Sequence, residues 1–287
     1  MKIQEQAPAK INLALDILGR RTDGYHELRM VMQSVSLCDT VTVEETGIGF
    51  ALLADGFTVP AGKSSLEQQA AKAFFAAVGR PMPPLTVHLE KTTPAYAGLG
   101  GGSADVAALL RCLRRLYAAG MPDEALRAIG LTVGSDVPFC VSGGTSLAEG
   151  RGERLTDLPP LPVCQIVLCK PDFGISTPEL FVLADGAVLS KRPDIAGLTA
   201  ALQGGELTGV TDRLCNVFEE FLPERYREVF RIKEILLAHG ALNAAMSGSG
   251  PTVYGIFESA AEAQRAAEVL KKSYQQTYVA KPVKKLV

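Results

Sequence analysis

One stretch restricts this chain more than any other: PAYAGLGGGSADVAALL, residues 94–110. Glycine fills four of the five positions from 98 to 102. Glycine gives up more conformational freedom on folding than other residues do, so such a cluster is destabilising unless the folded chain needs it. Directly after it, Val106, Leu109, Leu110, Leu113, Leu116 and Tyr117 recur at helical spacing, and Gly120 closes the run. A helix N-terminus presents unpaired N–H groups and a partial positive charge, and glycines ahead of it let the backbone close around a phosphate. A plain tight turn asks for about one or two glycines, so the pattern predicts an anion cradle opening onto a helix, with Ser103 near its start. It is not a P-loop, because no lysine follows the glycines. Nor is it a dinucleotide fingerprint, because the register Gly98-x-Gly100-x-x ends on Ser103.

The rest of the chain reads as alternating strands and helices. In KINLALDIL, Ile11, Leu13, Leu15 and Ile17 fall on one face of a strand, with Lys10, Asn12, Ala14 and Asp16 on the other. TVTVEE (40–45) and LTVHLE (85–90) alternate similarly, and Ser64-Ser65-Leu66-Glu67 is a capping-box pattern that opens a helix running to about Val78. The segment GRGERLTDLPPLP, from about 150 to 162, is the best candidate for a domain boundary. Beyond it come a strand at 163–168, helical patterns at 177–184 and 212–238, two strands around a glycine-serine turn in ALNAAMSGSGPTVYGIF, a helix at 259–274 and a final strand. The expectation is a two-domain α+β protein, residues 1–155 and 156–287.

Composition excludes several classes. A net charge of −2 offers no overall field for nucleic acid or an anionic membrane, so an anionic ligand must be held by a local device. The six cysteines form no CxxC pair and the three histidines have no metal spacing, which argues against a zinc site and a disulfide framework. The opening MKIQEQAPAKINLAL lacks an apolar leader core, and the uncharged stretch from Ile235 to Phe257 is interrupted by polar residues, Pro251 and glycines. The chain reads as soluble and cytoplasmic, with no nucleic-acid or membrane partner.

The stretch from Pro94 through Ala95, Tyr96, Ala97, Gly98, Leu99, Gly100, Gly101, Gly102 and Ser103 to Ala104 resembles the ATP phosphate loop of the GHMP kinases (galactokinase, homoserine, mevalonate and phosphomevalonate kinases). One departure is Ala104, where the family often carries a second serine. AMSGSGPTVYGIF, with Gly248, Ser249 and Gly250, resembles the family's C-terminal glycine motif. PAKINLALDILGRRTDGYHEL and GLTVGSDVPFCVSGGTSLAEGRGERL resemble one branch specifically, whose members phosphorylate the 2-hydroxyl of a cytidyl-diphosphate sugar alcohol in isoprenoid precursor synthesis. The resemblance covers the chain from end to end. It implies the two-domain GHMP kinase fold, with the active site in the cleft between domains.

Roles follow residue by residue. Asp136, read alone, is an ordinary loop or helix-cap aspartate; by resemblance it is the catalytic carboxylate. Lys10, read alone, is a surface lysine; by resemblance it joins Asp136 at the reacting hydroxyl, with Asn12 beside it on the substrate side. Tyr25 and His26, read alone, are turn aromatics covering a sheet edge. By resemblance Tyr25 stacks on a cytosine face, His26 meets its edge, Phe181 forms the opposite jaw and Thr177 touches the same ligand. His88 and His239 read as structural. The resemblance also implies ATP and Mg2+ as cofactors; Asp136 and Ser103 are candidate oxygens for the metal, whose ligands the sequence does not assign. The remaining expectation is a monomer or weak homodimer.

Overall fold

The first strand, β1 (Lys2–Arg20), pairs antiparallel along most of its length with β2 (His26–Glu44). This computed structural model describes residues 1–54 and 64–286. β3 (Phe50–Ala54), β4 (Leu85–Glu90), β5 (Thr145–Gly150) and β6 (Arg154–Asp157) extend the same sheet, which also takes in β8 (Cys215–Asn216); its path is β3-β4-β2-β1-β8, with β5 on β2 and β6 on β5. A second sheet, all antiparallel, runs β11 (Gln276–Ala280), β7 (Gln165–Lys170), β10 (Val253–Phe257), β9 (Asn243–Met246). The fold is α+β, as the sequence implies.

Period two in β1 is broken by register shifts between Pro8 and Lys10 and between Asn12 and Ala14. Ile11 and Leu13 therefore join a core shared with Leu168, Tyr254 and Ile256 of the second sheet, while Leu15 and Ile17 join the cluster that carries the helices. This corrects the expectation that all four share one face: a bulge inserts a residue and turns the later side chains over. Lys10 and Asn12 are 5% and 1% exposed, so the polar face is an interior one.

Helix α1 (Leu66–Ala77) is capped by Ser65, whose hydroxyl accepts from the Gln68 N–H at 3.1 Å, one residue later than the sequence pattern puts it. Helix α2 (Gly101–Tyr117) follows the glycine run and packs on β1 and β2, flanked by α1, α3 (Asp123–Leu131) and α4 (Val137–Ser142). Residues Ala104 to Leu113 are all buried, so α2 is a core helix and not an amphipathic surface one.

In the second half, α5 (Thr177–Gly186), α6 (Ile195–Gly204) and α7 (Leu207–Thr211) precede β8. The helix expected across 212–238 is divided: β8, two 3-10 turns, then α8 (Glu228–Ala238). Asn216 causes the break, since its side chain accepts from the Phe218 N–H and its backbone lies beside β1. α8 and α9 (Ala260–Lys271) pack on the second sheet. The chain end then returns to the first sheet through bridges Val35–Pro282 and Gly143–Lys285. The expected division at 155/156 falls within β6.

The Tyr254 hydroxyl donates to the Asn12 carbonyl at 2.8 Å, tying β10 to β1 in a fully buried setting. Tyr254→Phe is expected to lower unfolding stability by about 1–2 kcal/mol in urea titrations; an unchanged midpoint would mean the bond contributes nothing net.

Candidate active site

Gly98 and Gly100 both adopt left-handed backbone, φ +73° and +67°, which L side chains rarely tolerate. A Cβ on Gly98 would lie 2.1 Å from the Ser247 carbonyl oxygen, and one on Gly100 would lie 3.0 Å from Lys10 Cγ. The Ser247 hydroxyl donates to the Gly98 carbonyl at 2.9 Å, and the Thr252 N–H to the Ala97 carbonyl at 3.3 Å. The glycines therefore serve a purpose beyond approach to an anion: they let the second glycine turn, Gly248-Ser249-Gly250, and Lys10 lie directly against the first. Gly100 caps α2 with no side-chain hydrogen bond, which leaves the helix start to an external acceptor.

Along the loop, Ala97, Leu99 and Ala104 are buried in the protein interior, so only their backbone can face a nucleotide. Tyr96 is 87% exposed at φ +51°, the one non-glycine residue with positive φ among the described residues. Asn216, which sequence reading hides inside an expected helix, donates through Nδ2 to the Met246 and Gly248 carbonyls, each at 2.8 Å. It pins the second turn in place.

The chemical pair is assembled from three elements. Lys10 Nζ donates to Asn12 Oδ1 at 2.8 Å and stands 3.5 Å from Asp136 Oδ2. The Lys10 N–H bonds the Leu99 carbonyl at 2.9 Å, fixing β1 to the glycine loop. Asp136 immediately precedes α4, yet its side chain makes no capping bond. That excludes the bland helix-cap role: the carboxylate faces Lys10, with its side chain 31% exposed and open to a ligand. A Cβ on Gly248 would lie 3.3 Å from Lys10 Nζ, and one on Gly134 would lie 3.8 Å from Ser103 Oγ. Ser103, Lys10, Asn12, Asp136 and the second glycine turn thus converge.

On the other side, Tyr25 is 54% exposed, with the Arg151 guanidinium 4.7 Å over one ring face. His26 Nε2 pairs with Asp185 at 2.8 Å, and its ring stacks on Phe181 at 4.6 Å between centroids. Phe181, expected as the jaw opposite Tyr25, stacks on His26 and fixes that ring. Thr177 Oγ1 and Ser249 Oγ are 2.6 Å apart, joining the start of α5 to the second glycine turn.

Comparison with known proteins places the chain in a class. Residues 65–144 match the GHMP kinases N terminal domain and residues 199–276 the GHMP kinases C terminal model. The chain belongs to the GHMP kinase family. Curated relatives are the 4-diphosphocytidyl-2-C-methyl-D-erythritol kinases of Clostridium acetobutylicum, 36% identical over 97% of this chain and 99% of that protein, and of Moorella thermoacetica, 42% identical over 95% and 96%. A crystal structure of a 4-(cytidine 5'-diphospho)-2C-methyl-D-erythritol kinase superposes with TM-score 0.82 at 32% identity, covering 98% of this chain and 99% of that one. A homoserine kinase from Cytophaga hutchinsonii shares the fold at TM-score 0.74 and 18% identity.

Beside the loop two buried carboxylates share one lysine, a cluster that has no local sequence signature. Lys91 Nζ bridges Asp39 and Asp105, and Asp39 also accepts the Thr92 and Thr93 N–H groups at 2.6 and 2.7 Å. One cation shared by two carboxylates leaves a buried negative charge. Asp39 has the better donors, so Asp105, whose Oδ1 has no partner, carries the burden: burial pushes its carboxyl up from 3.8 to about 7. The folded state then holds a proton the unfolded chain has released, so the contribution of Asp105 to stability is greatest in acid and falls as pH rises from about 4 towards 7. The slope is up to about 1.4 kcal/mol per pH unit. Across that range the urea midpoint of the parent is expected to fall relative to that of Asp105→Asn; equal slopes would remove Asp105 as the titrating group.

Proposed function

We propose that this chain transfers the γ-phosphoryl group of ATP to the 2-hydroxyl of 4-diphosphocytidyl-2-C-methyl-D-erythritol, the reaction its curated relatives are named for. The observation that carries the reading is the Lys10–Asp136 pair at 3.5 Å, set beneath two glycine turns and beside an aromatic cluster. The start of α2, the loop from Pro94 to Ala104 and the Gly248–Gly250 turn supply backbone N–H groups for the triphosphate. Asp136 accepts the proton of the substrate hydroxyl as its oxygen bonds the γ-phosphorus, and the bond to the β-phosphate oxygen breaks to release ADP. Lys10, oriented by Asn12, offsets charge at the reacting oxygens.

Among the described residues no cluster of three or more His, Cys, Asp or Glu could by itself hold a metal. Ser103 and Asp136 nonetheless offer the hard oxygen donors that Mg2+ takes alongside nucleotide phosphates and water. Such an ion would neutralise the phosphate charge when bound with ATP.

For the cytidyl end, the free face of Tyr25 offers a stacking surface and His26, held by Asp185 and Phe181, presents a fixed ring, with Thr177 nearby. The Arg151 guanidinium beside Tyr25, and the approach of Gly152 to 3.9 Å of Asp136 Oδ1 (measured from a Cβ position), support a path for the substrate diphosphate between the two ends. The cysteines are free and no described helix is long and apolar enough to cross a membrane; free thiols fit a cytoplasmic enzyme, and a monomer or weak homodimer is the proposed assembly.

Coupled ADP release with Mg-ATP is expected for the cytidyl substrate, and not for the same sugar alcohol lacking the cytidyl group or for mevalonate. Turnover of mevalonate would overturn the substrate reading. Asp136→Asn is expected to lower kcat by about 10²–10⁴, and Lys10→Met to fold normally and lose most turnover. Tyr25→Ala should raise KM for the cytidyl substrate by about 10-fold or more, the equivalent of a lost base stack, with KM for ATP unchanged; equal rises in both would sink the stacking role.

A further inference from the structure

We infer that Arg111 is a positioning residue for phosphoryl transfer, holding Asp136 and Lys10 in register by binding the backbone behind both of them. This rests on the reading of Asp136 as the base. Arg111 lies on α2, the helix that opens at the glycine loop, and is 3% exposed. Its Nη1 donates to the Cys140 carbonyl at 2.8 Å and its Nη2 to the Gln6 carbonyl at 2.6 Å. Cys140 is one helical turn beyond Asp136, and its N–H donates to the Asp136 carbonyl at 3.1 Å. Gln6 is four residues before Lys10 on β1. One planar group on the phosphate-loop helix therefore touches both elements that carry the chemical pair.

Each link has a physical reason. α4 has six residues and no side-chain N-cap, so its own hydrogen bonds cannot hold it in place. Its orphan C-terminal carbonyls are taken by Arg111, at Cys140, and by the Leu286 N–H, at Ser142, 2.8 Å away. With its far end fixed, the Asp136 side chain is left uncapped and directed at Lys10. Within the buried run Ala104–Leu113, only Asp105 and Arg111 are charged. A buried guanidinium is costly, and an apolar side chain would fill the same space without that cost. Arg111 does not recover it through a strong ion pair: Nε lacks a hydrogen-bond acceptor and Glu5 Oε2 stands 3.7 Å away. Its bonding capacity goes to backbone carbonyls, and the fork geometry that reaches two elements at once is one lysine cannot reproduce.

The test is a double-mutant cycle read as kcat per nucleotide-binding site, so that misfolded protein drops out of the count. In the parent, Arg111→Met is expected to lower kcat by up to about 10²-fold, the scale of an ångström-level misplacement, with KM for ATP and for the cytidyl substrate within about threefold. Arg111→Lys should recover part of that loss. In an Asp136→Asn background the same Arg111→Met change should cost less than about twofold, because residues that act through one another are not additive. Equal losses in both backgrounds would overturn the inference while leaving the kinase reading intact. If Arg111→Met fails to fold, Arg111→Lys runs through the same cycle, with additivity again decisive. Near-parental kcat in Asp136→Asn alone would overturn the base assignment and this inference together.

Discussion

Two turns far apart in the chain are pressed together until their backbones nearly touch, and the rest of the site depends on that contact. The Gly98 carbonyl accepts from Ser247 across 149 residues of sequence, and the Cβ position on Gly98 is occupied by a carbonyl oxygen. No residue other than glycine fits there without moving one half of the molecule against the other. The contact seats Lys10 between the turns, where it loses water and must find partners; Asn12 and Asp136 supply them. The bulge between Asn12 and Ala14 turns the later side chains over, sending Leu15 and Ile17 to the helix-bearing core, while Ile11 and Leu13 pack toward the second sheet on the side opposite Lys10 and Asn12.

Charge is handled locally throughout. The chain as a whole carries −2, yet three cations sit on or beside α2 with specific partners: the partly exposed Lys91 ahead of the glycine loop, the buried Lys10 beneath that loop and the buried Arg111 within the helix. Each has a different set of partners, respectively two carboxylates, an amide with a carboxylate, and backbone carbonyls. A desolvated cation is tolerated only where oxygens replace its water.

How far the sequence could be read depended on the range of the forces involved. α1, α9 and the strands around the SGSG turn follow from local pattern and capping, and they stand within a few residues of where the pattern puts them. The helix expected across 212–238 fails because the reach of Asn216 to a turn 30 residues away outweighs local helical preference. Asp136 was legible only by resemblance. Nothing within five residues of it marks it out from a helix cap; the absent capping bond and the facing lysine do, and the proposed role rests on them. Arg111 and Asn216 were hidden for the same reason, since their partners are backbone carbonyls, which carry no sequence signature.

By itself the sequence supplied reason to expect an anion cradle at a glycine-rich helix start, because a plain turn needs fewer glycines, and it determined that the chain would be α+β, because periods of two and 3.6 alternate along it. Only the tertiary structure decided what those glycines touch, which face of β1 carries Lys10 and Asn12 inward, and that Phe181 stacks on His26. Those outcomes turn on contacts between residues more than a hundred positions apart. Local propensity, which acts over a few residues, has no means of specifying them.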